Sequence, residues 1–500
     1  MCRQRRSWRL HVADPRNTLQ KKFESNHRHA NFGNVITRLE VRGFRLHANS
    51  ILEFRSPVTA FCGPNGTGKT TLLQLAACSY RQGKGGYQLR DFFAVGQLDP
   101  SPFATTARLN VSTWQSDAKE RALSLSRRTN RWSDYRKRDE REVLFLGAAE
   151  FPPRAEEQGF YFRQAGRLVV GTRTPCAVDV SKAVGKVLGT HYDRVERADV
   201  SLKTRSGSIL AAGRGHVVYS ENHMGFGECR VHNLIDRLEA QSPKSLILLE
   251  EPEISLHQSA QFRFGEYLVD LAIRKGHQIL LSTHSEHLLR ALPQVSRMLI
   301  VRDGGTGVRV LPGLASAQVA SVLTDGHDKA LRVLVEDDVA AAILSEMLAK
   351  AEPELLKTTA IVIGGYRDDK DQSVGGGKDA IAAAMRTLRE AGLRIAAVLD
   401  ADAKEEPTNF VFKLPGTMPP EKEVFGNAAV KQLWSTTYGL DVDSFLAELA
   451  GGDHHGWFER LAERLGRDRA FLVGEACRAY AASVSFGPLV ELLREAASKK

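Results

Sequence analysis

A glycine-rich segment followed by a lysine and two threonines has the clearest chemical meaning in this sequence. The pattern G-x-x-x-x-G-K-[ST] and one further threonine are supplied by Gly63, Pro64, Asn65, Gly66, Thr67, Gly68, Lys69, Thr70 and Thr71. In this pattern the backbone N–H groups surround a phosphate, the lysine reaches the β- and γ-phosphates, and the hydroxyl after it binds Mg²⁺. Residues 59–63 predict a strand before the segment and residues 71–75 a helix after it, as the motif requires. We therefore expect these residues to bind ATP, with Thr70 as a ligand of Mg²⁺.

Two acids and a histidine follow two further apolar runs. Residues 246–250 end in Glu250 and Glu251, and residues 278–282 have His284 close behind them. Groups at the carboxyl ends of the strands of an open α/β sheet face the ligand crevice. We expect Glu250 to hold Mg²⁺, directly or through water, and Glu251 to orient or deprotonate the attacking water. His284 is a candidate contact for the γ-phosphate, although a lone histidine is more often structural.

A second set of acids lies in the carboxyl-terminal half of the chain. Glu336 ends a strand predicted at residues 332–336, and Asp400 ends another at 394–400, with Asp402 just after it. Carboxylates that meet at one edge of a sheet form an all-oxygen site suited to Mg²⁺, with Mn²⁺ as an alternative. Two such ions can activate water and stabilise the leaving oxygen of a phosphodiester. We expect these three acids to be metal ligands and catalytic residues. The alternative is that Asp400 and Asp402 lie on a solvated turn and that Glu336 is only a favourable charge at a helix N-terminus, so that no metal ion binds.

Three segments together resemble the ABC-type ATPase cassette found in SMC-like, RecF-like and OLD-family (overcoming lysogenization defect) proteins: GPNGTGKTT, LILLEEPEISLH and LLSTHS. The resemblance covers roughly residues 35–315. It implies that His284 is the switch histidine and that residues 254–257 form the D-loop. It also implies that two cassettes enclose two nucleotides, so we expect a homodimer or a higher homo-oligomer through the ATPase domains.

The signature sequence of such a cassette is expected shortly before the strand at 246–250. Residues 223–228 occupy that place, and Gly225 falls where the signature usually has a serine. The glycine backbone and the N-terminus of the following helix remain to contact the phosphate of the opposite subunit. We therefore assign Gly225, Gly227 and Glu228 to the nucleotide site. An ordinary glycine turn before a helix is the alternative.

The second half of the chain resembles a Toprim domain. VEDD at residues 335–338 is similar to the glutamate motif of that domain, and LDAD at residues 399–402 to its D-x-D motif. A cassette followed by Toprim is the arrangement of OLD-family nucleases and of the Gabija nuclease subunit, many of them associated with phage defence. By this resemblance the three acids named above are the metal and catalytic positions. Glu421 and Glu423, with Lys422 between them, complete the site.

One departure from this family pattern leaves two functions open. OLD nucleases often have a second acid four residues after the first, and that position is Ala340 here. Asp337 and Asp338 are nearby, but at a helix start they point elsewhere than a fourth-residue acid would. We expect an ATP-regulated, Mg²⁺-dependent DNA endonuclease with an active Toprim-like site. The alternative is an ATPase sensor with an inactive Toprim-like domain and a separate HNH-type nuclease subunit, since the cassette is also similar to the Septu defence ATPase.

Composition places the chain among ordinary globular proteins with a basic charge balance. Apolar residues make up 42% and charged residues 26%, which excludes a disordered chain or a disulfide scaffold. The 69 Lys and Arg exceed the 59 Asp and Glu by ten, so a polyanion such as DNA is a plausible partner. Basic residues concentrate in an arm at 1–34 and in 115–142, where they alternate with Trp114, Trp132 and Tyr135. Such a pattern suits a phosphate backbone with stacked bases, and a solvated helix face is the alternative.

The remaining signals concern the compartment and minor metal candidates. Six cysteines without regular spacing indicate a reducing compartment and argue against a zinc framework. No apolar run approaches the roughly 18 residues that a membrane span needs, so we expect a cytoplasmic protein without a membrane partner. The pair His454-His455 lacks partners at metal spacing and predicts no metal site.

The predicted organisation is that of an α/β protein in which short apolar strands alternate with helices. An ABC/SMC-like P-loop ATPase domain is followed by a Toprim-like Rossmannoid domain and a helical C-terminal segment. The predicted parts are the basic arm 1–34, the ATPase domain 35–315 with a lateral insertion within 80–245, the linker 316–331, the Toprim-like domain 332–425 and the helical segment 426–500.

Overall fold

The computed structural model divides the chain into two compact units, Met1–Ser316 and Ala317–Lys500. The residues that the structure describes are 14–24, 26–83, 86–128, 131–150, 163–303, 305, 307–324, 329–367, 373–375, 378–390, 393–449 and 452–498. Residues 1–13 of the predicted basic arm lie outside them. The rest of the arm contains two helices whose Leu19, Phe23 and Phe32 are buried, so this part is packed rather than free.

The elements of the first unit form three sheets with helices around them. In chain order, its strands are β1 (Ile36–Phe44), β2 (His47–Glu53), β3 (Val58–Cys62), β4 (Phe103–Trp114), β5 (Glu120–Arg128), β6 (Arg131–Trp132), β7 (Val143–Leu146), β8 (Val169–Pro175), β9 (Arg194–Leu202), β10 (Arg205–Arg214), β11 (Val217–Ser220), β12 (Leu246–Glu250), β13 (Gln278–Thr283), β14 (Arg297–Arg302) and β15 (Val308–Pro312). Its α-helices are α1 (Pro15–Glu24), α2 (Arg28–Phe32), α3 (Lys69–Ala77), α4 (Leu89–Phe92), α5 (Val178–Leu188), α6 (Phe226–Glu239), α7 (Gln258–Lys275) and α8 (Glu286–Ala291).

The sheet that carries the predicted nucleotide residues has the strand order β15-β14-β3-β13-β12-β7. Strands β14, β3, β13, β12 and β7 are parallel to one another, and the edge strand β15 is antiparallel to β14. Every residue of β3 and β13 is buried, as is usual for parallel strands covered on both faces. The register pairs Thr283 with Cys62 and Glu250 with Ser282. The ends of β3, β13 and β12 therefore meet at one edge of the sheet.

The basic stretch at 115–142 contributes β5 and β6 to a second, antiparallel sheet with the order β2-β1-β4-β5-β6. The described residues of this stretch are strand, loop and one short 3₁₀ turn at Tyr135–Lys137, so they do not form the α-helix that the alternative of a solvated helix face assumed. Trp132 stacks on Phe44 with ring centroids 5.5 Å apart. Arg138 and Arg141 are buried, and their guanidinium groups donate to backbone carbonyls of other segments. Arg138 and Arg141 therefore hold the unit together and are not available to nucleic acid, and the half-buried Trp132 packs on the same unit.

A third sheet, with the order β11-β10-β9-β8, lies within the region where the lateral insertion was predicted. Its strands are antiparallel, and α5 connects β8 to β9. Helix α5 packs against α6, the helix that leads to β12. This subdomain therefore adjoins the segment in which the signature sequence was predicted.

The second unit has a parallel sheet covered by helices. Its strands are β16 (Leu331–Val335), β17 (Thr359–Ile363), β18 (Gly365–Arg367), β19 (Ser373–Gly375), β20 (Ile395–Leu399) and β21 (Val411–Lys413). Its helices, with one at the boundary, are α9 (Ser316–Leu323), α10 (Asp338–Ala351), α11 (Pro353–Thr358), α12 (Lys378–Glu390), α13 (Pro420–Gly426), α14 (Ala428–Tyr438), α15 (Val442–Glu448), α16 (Trp457–Leu465), α17 (Arg469–Ser483) and α18 (Gly487–Ser498). The main sheet has the order β17-β16-β20-β21.

The C-terminal helices share one hydrophobic core with this sheet. Val333 and Val398 from the strands, and Phe425, Trp434 and Phe458 from the helices, belong to the same buried cluster. The described residues of 332–425 and 426–500 therefore share one core, and the predicted linker 316–331 includes helix α9. Within the described parts of the chain, no helix has the length and apolar character needed to cross a membrane.

Candidate functional site

The glycine-rich loop connects β3 to α3, which begins at Lys69. Gly68 has a φ of 88°, in the left-handed region that favours glycine. A Cβ atom at Gly68 would lie 2.5 Å from Nε2 of His47, a buried side chain that lies against the carbonyl oxygen of Gly68 at 3.1 Å. The loop therefore requires glycine here. The first turn of α3 starts at the carboxyl edge of the sheet, where its unpaired N–H groups suit an anion.

Lys69 is buried inside the curve of this loop. Its ammonium group donates to the carbonyl oxygens of Gly63 at 2.9 Å and Pro64 at 3.0 Å. Burial lowers the pKa of Lys69, and the charge of the Glu251 carboxylate opposes this effect. The ammonium thus lies in a confined position next to the free N–H groups of α3. This is the position in which it can neutralise phosphate charge.

The two predicted magnesium ligands of the first unit are in direct contact. The hydroxyl group of Thr70 donates a hydrogen bond to Oε1 of Glu250, although the two residues are 180 positions apart in the chain. The contact exists because α3 starts at the end of β3 while Glu250 ends β12 at the same sheet edge. A hydroxyl and a carboxylate oxygen side by side are hard ligands of the kind that Mg²⁺ prefers. These residues therefore fit a magnesium ion.

Glu251 and His284 also lie together at this edge. Oε1 of Glu251 is 3.3 Å from Nε2 of His284. Burial and the neighbouring Lys69 ammonium lower the pKa of His284, whereas the Glu251 carboxylate opposes them. Glu251 has a φ of 43°, unusual for a residue with a side chain and typical of strained functional positions. The backbone at Glu251 is held by the guanidinium of Arg230, which donates to its carbonyl oxygen at 3.4 Å.

The structure identifies a third acid of this site that the sequence reasoning missed. Glu253 is buried, and its Oε1 accepts hydrogen bonds from the backbone N–H of His284 at 2.9 Å and from the hydroxyl of Thr283. Burial raises the pKa of Glu253. Glu253 therefore fixes the turn that carries His284. The sequence did contain a signal, since Glu253 belongs to the run of acids around Pro252. It was not expected at the phosphate because it lies three residues beyond the end of the strand.

The predicted signature residues lie at the start of α6, beside the predicted D-loop. A Cβ atom at Gly227 would be 2.4 Å from the carbonyl oxygen of Ser255, so the close contact of these segments requires glycine. Gly225, Gly227 and Glu228 line a cavity of about 410 Å³ with Ser255 and Leu256. No residue of the glycine-rich loop lines this cavity. The structure thus brings the residues predicted as the signature next to the segment predicted as the D-loop.

Glu228 has contacts that the sequence did not predict. Its Oε1 accepts hydrogen bonds from the hydroxyl of Tyr192 at 2.7 Å, from the hydroxyl of Tyr219 at 2.6 Å and from the guanidinium of Arg214. These three partners belong to the third sheet and the loop before β9. Glu228 therefore joins the start of α6 to the lateral subdomain, and its assignment to the nucleotide site stays a prediction.

The second acidic set lies at the carboxyl ends of β16 and β20, which are adjacent and parallel. Oε1 of Glu336 accepts a hydrogen bond from the backbone N–H of Asp400 at 3.1 Å. Asp400 is 8% exposed, and its Oδ1 is buried without a hydrogen-bond partner among the described residues. Asp402 is exposed on the turn after β20. The structure therefore brings Glu336 and Asp400 into one site, with Asp402 at its rim.

Two further acids, Asp337 and Glu421, contribute to the field at Asp400. Burial raises the pKa of Asp400 to about 7, and the negative charges of Glu336, Asp337, Glu421 and Asp402 add to the effect. Asp337 caps α10 by accepting from the N–H of Ala340, and burial raises its pKa as well. A buried carboxylate surrounded by like charges is stabilised by a cation, and carboxylate oxygens suit Mg²⁺ or Mn²⁺. This donor set therefore fits a hard divalent ion.

The other acids near this site have different contacts. Asp338 forms an ion pair with Arg469. Oε1 of Glu423 accepts from the backbone N–H groups of Thr417 at 2.7 Å and Met418 at 2.9 Å, so this side chain shapes the loop before α13. Of the two acids that flank Lys422, Glu421 is the one whose charge acts on Asp400.

We expect the Asp400→Asn variant to be more stable than the parent at pH 8 in the presence of a chelator. The pKa of Asp400 is about 7 in the folded protein, against the ordinary value of 3.8. An acid whose pKa is raised by folding destabilises the folded state as pH rises from the lower value through the upper one. The variant removes this penalty, so its free energy of unfolding should rise by about 2 kcal/mol and its Tm by a few degrees.

Thermal unfolding in EDTA at pH 5 and pH 8 measures this difference. The gain should shrink at pH 5, where Asp400 is already protonated in the folded protein. Asp402→Asn is the matched control, because it makes the same chemical change at an exposed position two residues away. A variant less stable than the parent at pH 8, or a gain that is equal at both pH values, would contradict the prediction.

Two segments of the first unit match known protein families. Residues 38–79 match the AAA domain family AAA_23. Residues 185–289 match the AAA ATPase domain family AAA_15. The first segment contains the glycine-rich loop with Lys69 and Thr70, and the second contains Glu250, Glu251 and His284. No curated protein sequence matches the chain.

Solved structures of SMC head domains are similar to part of the chain. The SMC head domain from Thermotoga maritima is 15% identical, with a TM-score of 0.35, and the match covers 55% of this chain and 98% of that one. The SmcHead bound to the C-winged helix domain of ScpA is 14% identical, with a TM-score of 0.35, 55% of this chain and 96% of that chain covered. The Smc head domain with an extended coiled coil bound to the C-terminal domain of ScpA, derived from Pyrococcus furiosus, is 12% identical, with a TM-score of 0.35, 55% and 95% covered. The family matches support an ATPase of the AAA type, which implies ATP and usually Mg²⁺.

Proposed function

We propose that this protein is an ATP-regulated DNA endonuclease. In this proposal the ATPase domain of the first unit controls a nuclease site in the second unit that depends on Mg²⁺ or Mn²⁺. The observation that carries it is the acidic site at the ends of β16 and β20. There Asp400 is buried and its Oδ1 has no partner among the described residues. Burial, with the added charges of four other acids, raises its pKa to about 7.

The proposed role of this site is phosphodiester hydrolysis. Glu336, Asp400 and Asp402 would hold the metal, and Asp337 and Glu421 add negative charge around it. A bound divalent ion supplies Lewis-acid activation of water and charge stabilisation of the leaving oxygen. The chain's own contribution is to hold Asp400 by its strand and its backbone contact with Glu336, so that the carboxylates converge before any ion binds.

The proposed ATPase mechanism assigns one task to each residue at the edge of the first sheet. Lys69 neutralises charge on the β- and γ-phosphates, and Thr70 with Glu250 holds Mg²⁺. Glu251 orients the attacking water and accepts its proton. His284 lies 3.3 Å from the Glu251 carboxylate and can hold its orientation, and Glu253 fixes the backbone of His284.

We propose that the ATPase domains act as a homodimer or a larger homo-oligomer. The start of α6 at Gly225 and Gly227 adjoins Ser255, and no residue of the glycine-rich loop lines their shared cavity. A helix N-terminus can bind the phosphate of a second chain's nucleotide through its free N–H groups. This arrangement would make ATP binding a signal that brings two chains together.

DNA binding is proposed from charge. The net charge of +10 favours a polyanionic partner. Because Arg138 and Arg141 are buried, the basic side chains of residues 115–142 that remain for DNA are the exposed ones, such as Lys119, Arg131 and Arg136. Contacts from these residues to phosphates would hold DNA without reading its sequence.

The proposal is tested by incubating the purified full-length protein with supercoiled plasmid. We expect nicked or linear products with Mg²⁺ or Mn²⁺, none with EDTA, and an amount of product that changes when ATP is added. Intact plasmid under all of these conditions would contradict the proposal. Cleavage in an amount that does not change with ATP would contradict the proposed regulation by ATP and would still support the proposed nuclease activity.

One observation favours a second candidate function, an ATPase sensor that acts with a separate HNH-type nuclease. Ala340 is buried in the core of the second unit, and Asp338 is held by Arg469, so these positions add no acid to the site. Co-purification of a nuclease subunit, together with intact plasmid when the protein acts alone, would support this candidate. The resemblance to OLD, Gabija and Septu proteins connects either candidate with antiviral defence.

A further inference from the structure

Beside the acidic site of the second unit, a cluster combines two imidazoles with the carboxylate of Glu421, whose charge also acts on Asp400. Ligand atoms of Glu421, His454 and His455 lie within 4.8 Å of one another. Nδ1 of His455 is 3.1 Å from Oε1 of Glu421, and the two imidazole rings lie with centroids 4.2 Å apart. The sequence predicted no metal site at this pair because Glu421 is more than thirty positions away. The fold supplies the missing ligand.

We propose that Glu421, His454 and His455 bind a divalent transition-metal ion. Imidazole nitrogens suit Zn²⁺ and Co²⁺, and they bind Mn²⁺ as well, whereas Mg²⁺ prefers oxygen ligands and retained waters. The cluster therefore differs in chemistry from the all-oxygen site at Asp400. Its two imidazoles would select a softer ion than that site does.

The buried carboxylate of Glu421 gives independent support for a ligand. Glu421 is only 2% exposed, and while Oε1 faces His455, Oε2 is buried and has no hydrogen-bond partner among the residues that the structure describes. Burying a carboxylate oxygen without a partner is costly, and a metal ion removes the cost. Helix α13 and the short turn before α16 pack together and hold these side chains in place. The site is therefore built by the fold rather than by a mobile surface.

Access to this cluster is open on one side. The side chain of His455 is 56% exposed and that of His454 is 22% exposed, while Glu421 lies beneath them. An ion can enter from solvent and displace water at the two imidazoles. Binding of the ion at this cluster requires neither ATP hydrolysis nor DNA cleavage.

The test uses metal-free full-length protein without nucleotide, titrated with Zn²⁺ by calorimetry and with Co²⁺ by absorption and proton NMR. We expect the parent to bind one more Zn²⁺ per chain than the His454→Ala/His455→Ala variant, or to bind it at least about 10-fold more tightly. We also expect Co²⁺ to produce shifted signals from exchangeable imidazole N–H protons in the parent, and the variant to lose them.

Three comparisons keep the result interpretable. His191→Ala removes an exposed histidine of the first unit and should leave Zn²⁺ binding unchanged. His455→Gln keeps a side chain of similar size, so a weaker metal affinity in this variant cannot be attributed to lost packing. Asp400→Asn should keep the Zn²⁺ site, which separates this inference from the proposed nuclease.

Equal Zn²⁺ stoichiometry and affinity in the parent and the double variant would overturn the inference, as would the absence of shifted imidazole signals in the parent. Plasmid cleavage in either of these cases would leave the proposed nuclease function intact. Conversely, Zn²⁺ binding by a protein that does not cleave plasmid would contradict the proposed nuclease function and would support the metal site at Glu421, His454 and His455.

Discussion

The Lys69→Ala variant is expected to bind ATP at least about 100-fold more weakly than the parent, a loss of ~2.7 kcal/mol. The ammonium of Lys69 lies inside the glycine-rich loop, 2.9 Å from the carbonyl oxygen of Gly63. Alanine removes the cation that compensates the β- and γ-phosphate charges and leaves the loop carbonyl oxygens facing them. Calorimetric titration with ATP and Mg²⁺ measures the affinity directly.

Two variants serve as controls for this prediction. Glu251→Gln should bind ATP with near-parental affinity and hydrolyse it much more slowly, because it keeps Lys69 and Thr70 and removes only the carboxylate assigned to the attacking water. It should also favour the dimer, since bound ATP then persists. Lys119→Ala, which removes an exposed cation, should change neither quantity. ATP affinity within threefold of the parent in Lys69→Ala would show that the loop does not bind the triphosphate as proposed.

The candidate nucleotide residues could be predicted because their geometry is mostly local. The glycine-rich loop joins a buried strand to a helix, so the position of Lys69 follows from a few adjacent residues. Glu250 and His284 each follow a short apolar strand, and the edge at which parallel strands end is set by the sheet type. The direct contact between Thr70 and Glu250 agrees with that expectation.

The residues that were missed depend on long-range packing. Glu253 reaches His284 only because the turn after β12 lies next to the end of β13, and no pattern in the sequence fixes that turn. Glu421 meets His455 because α13 and α16 pack in the core that the C-terminal helices share with the sheet. The helices beyond residue 426 were predicted as a separate segment, since their pattern does not indicate which surface they bury.

The basic stretch at 115–142 shows that the sequence also does not predict which charged side chains are exposed. Its arginines and aromatics have the composition of a nucleic-acid surface. Trp132 nevertheless stacks on Phe44, and the guanidinium of Arg141 donates to carbonyl oxygens inside the first unit. Composition cannot distinguish an exposed arginine from a buried one, because its five N–H donors can bind either the phosphates of DNA or buried carbonyl oxygens. Net charge therefore supports DNA binding only after the buried cations are set aside.

Replacing Asp400 and Asp402 together with alanine is expected to reduce plasmid cleavage by at least about 10³-fold, or ~4 kcal/mol of barrier. Asp400 is the buried centre of the acidic site, and its backbone N–H binds Glu336, so its carboxylate is the one held most firmly for a metal ion. Asp402 is at the rim of the same turn. Without both, the remaining acids cannot hold the metal that activates water.

The matched control removes two acids elsewhere in the second unit. Asp443 and Glu448 lie on α15 and form exposed ion pairs with Lys431 and Arg464. Their replacement by alanine changes the net charge by the same amount and should alter cleavage by less than twofold, because exposed ion pairs contribute little to stability. ATP binding should stay at the parental level in both double variants, since Lys69 and Thr70 belong to the first unit. Parental cleavage by Asp400→Ala/Asp402→Ala would place the nuclease outside this acidic site, whereas lost cleavage with intact ATP binding would place it there.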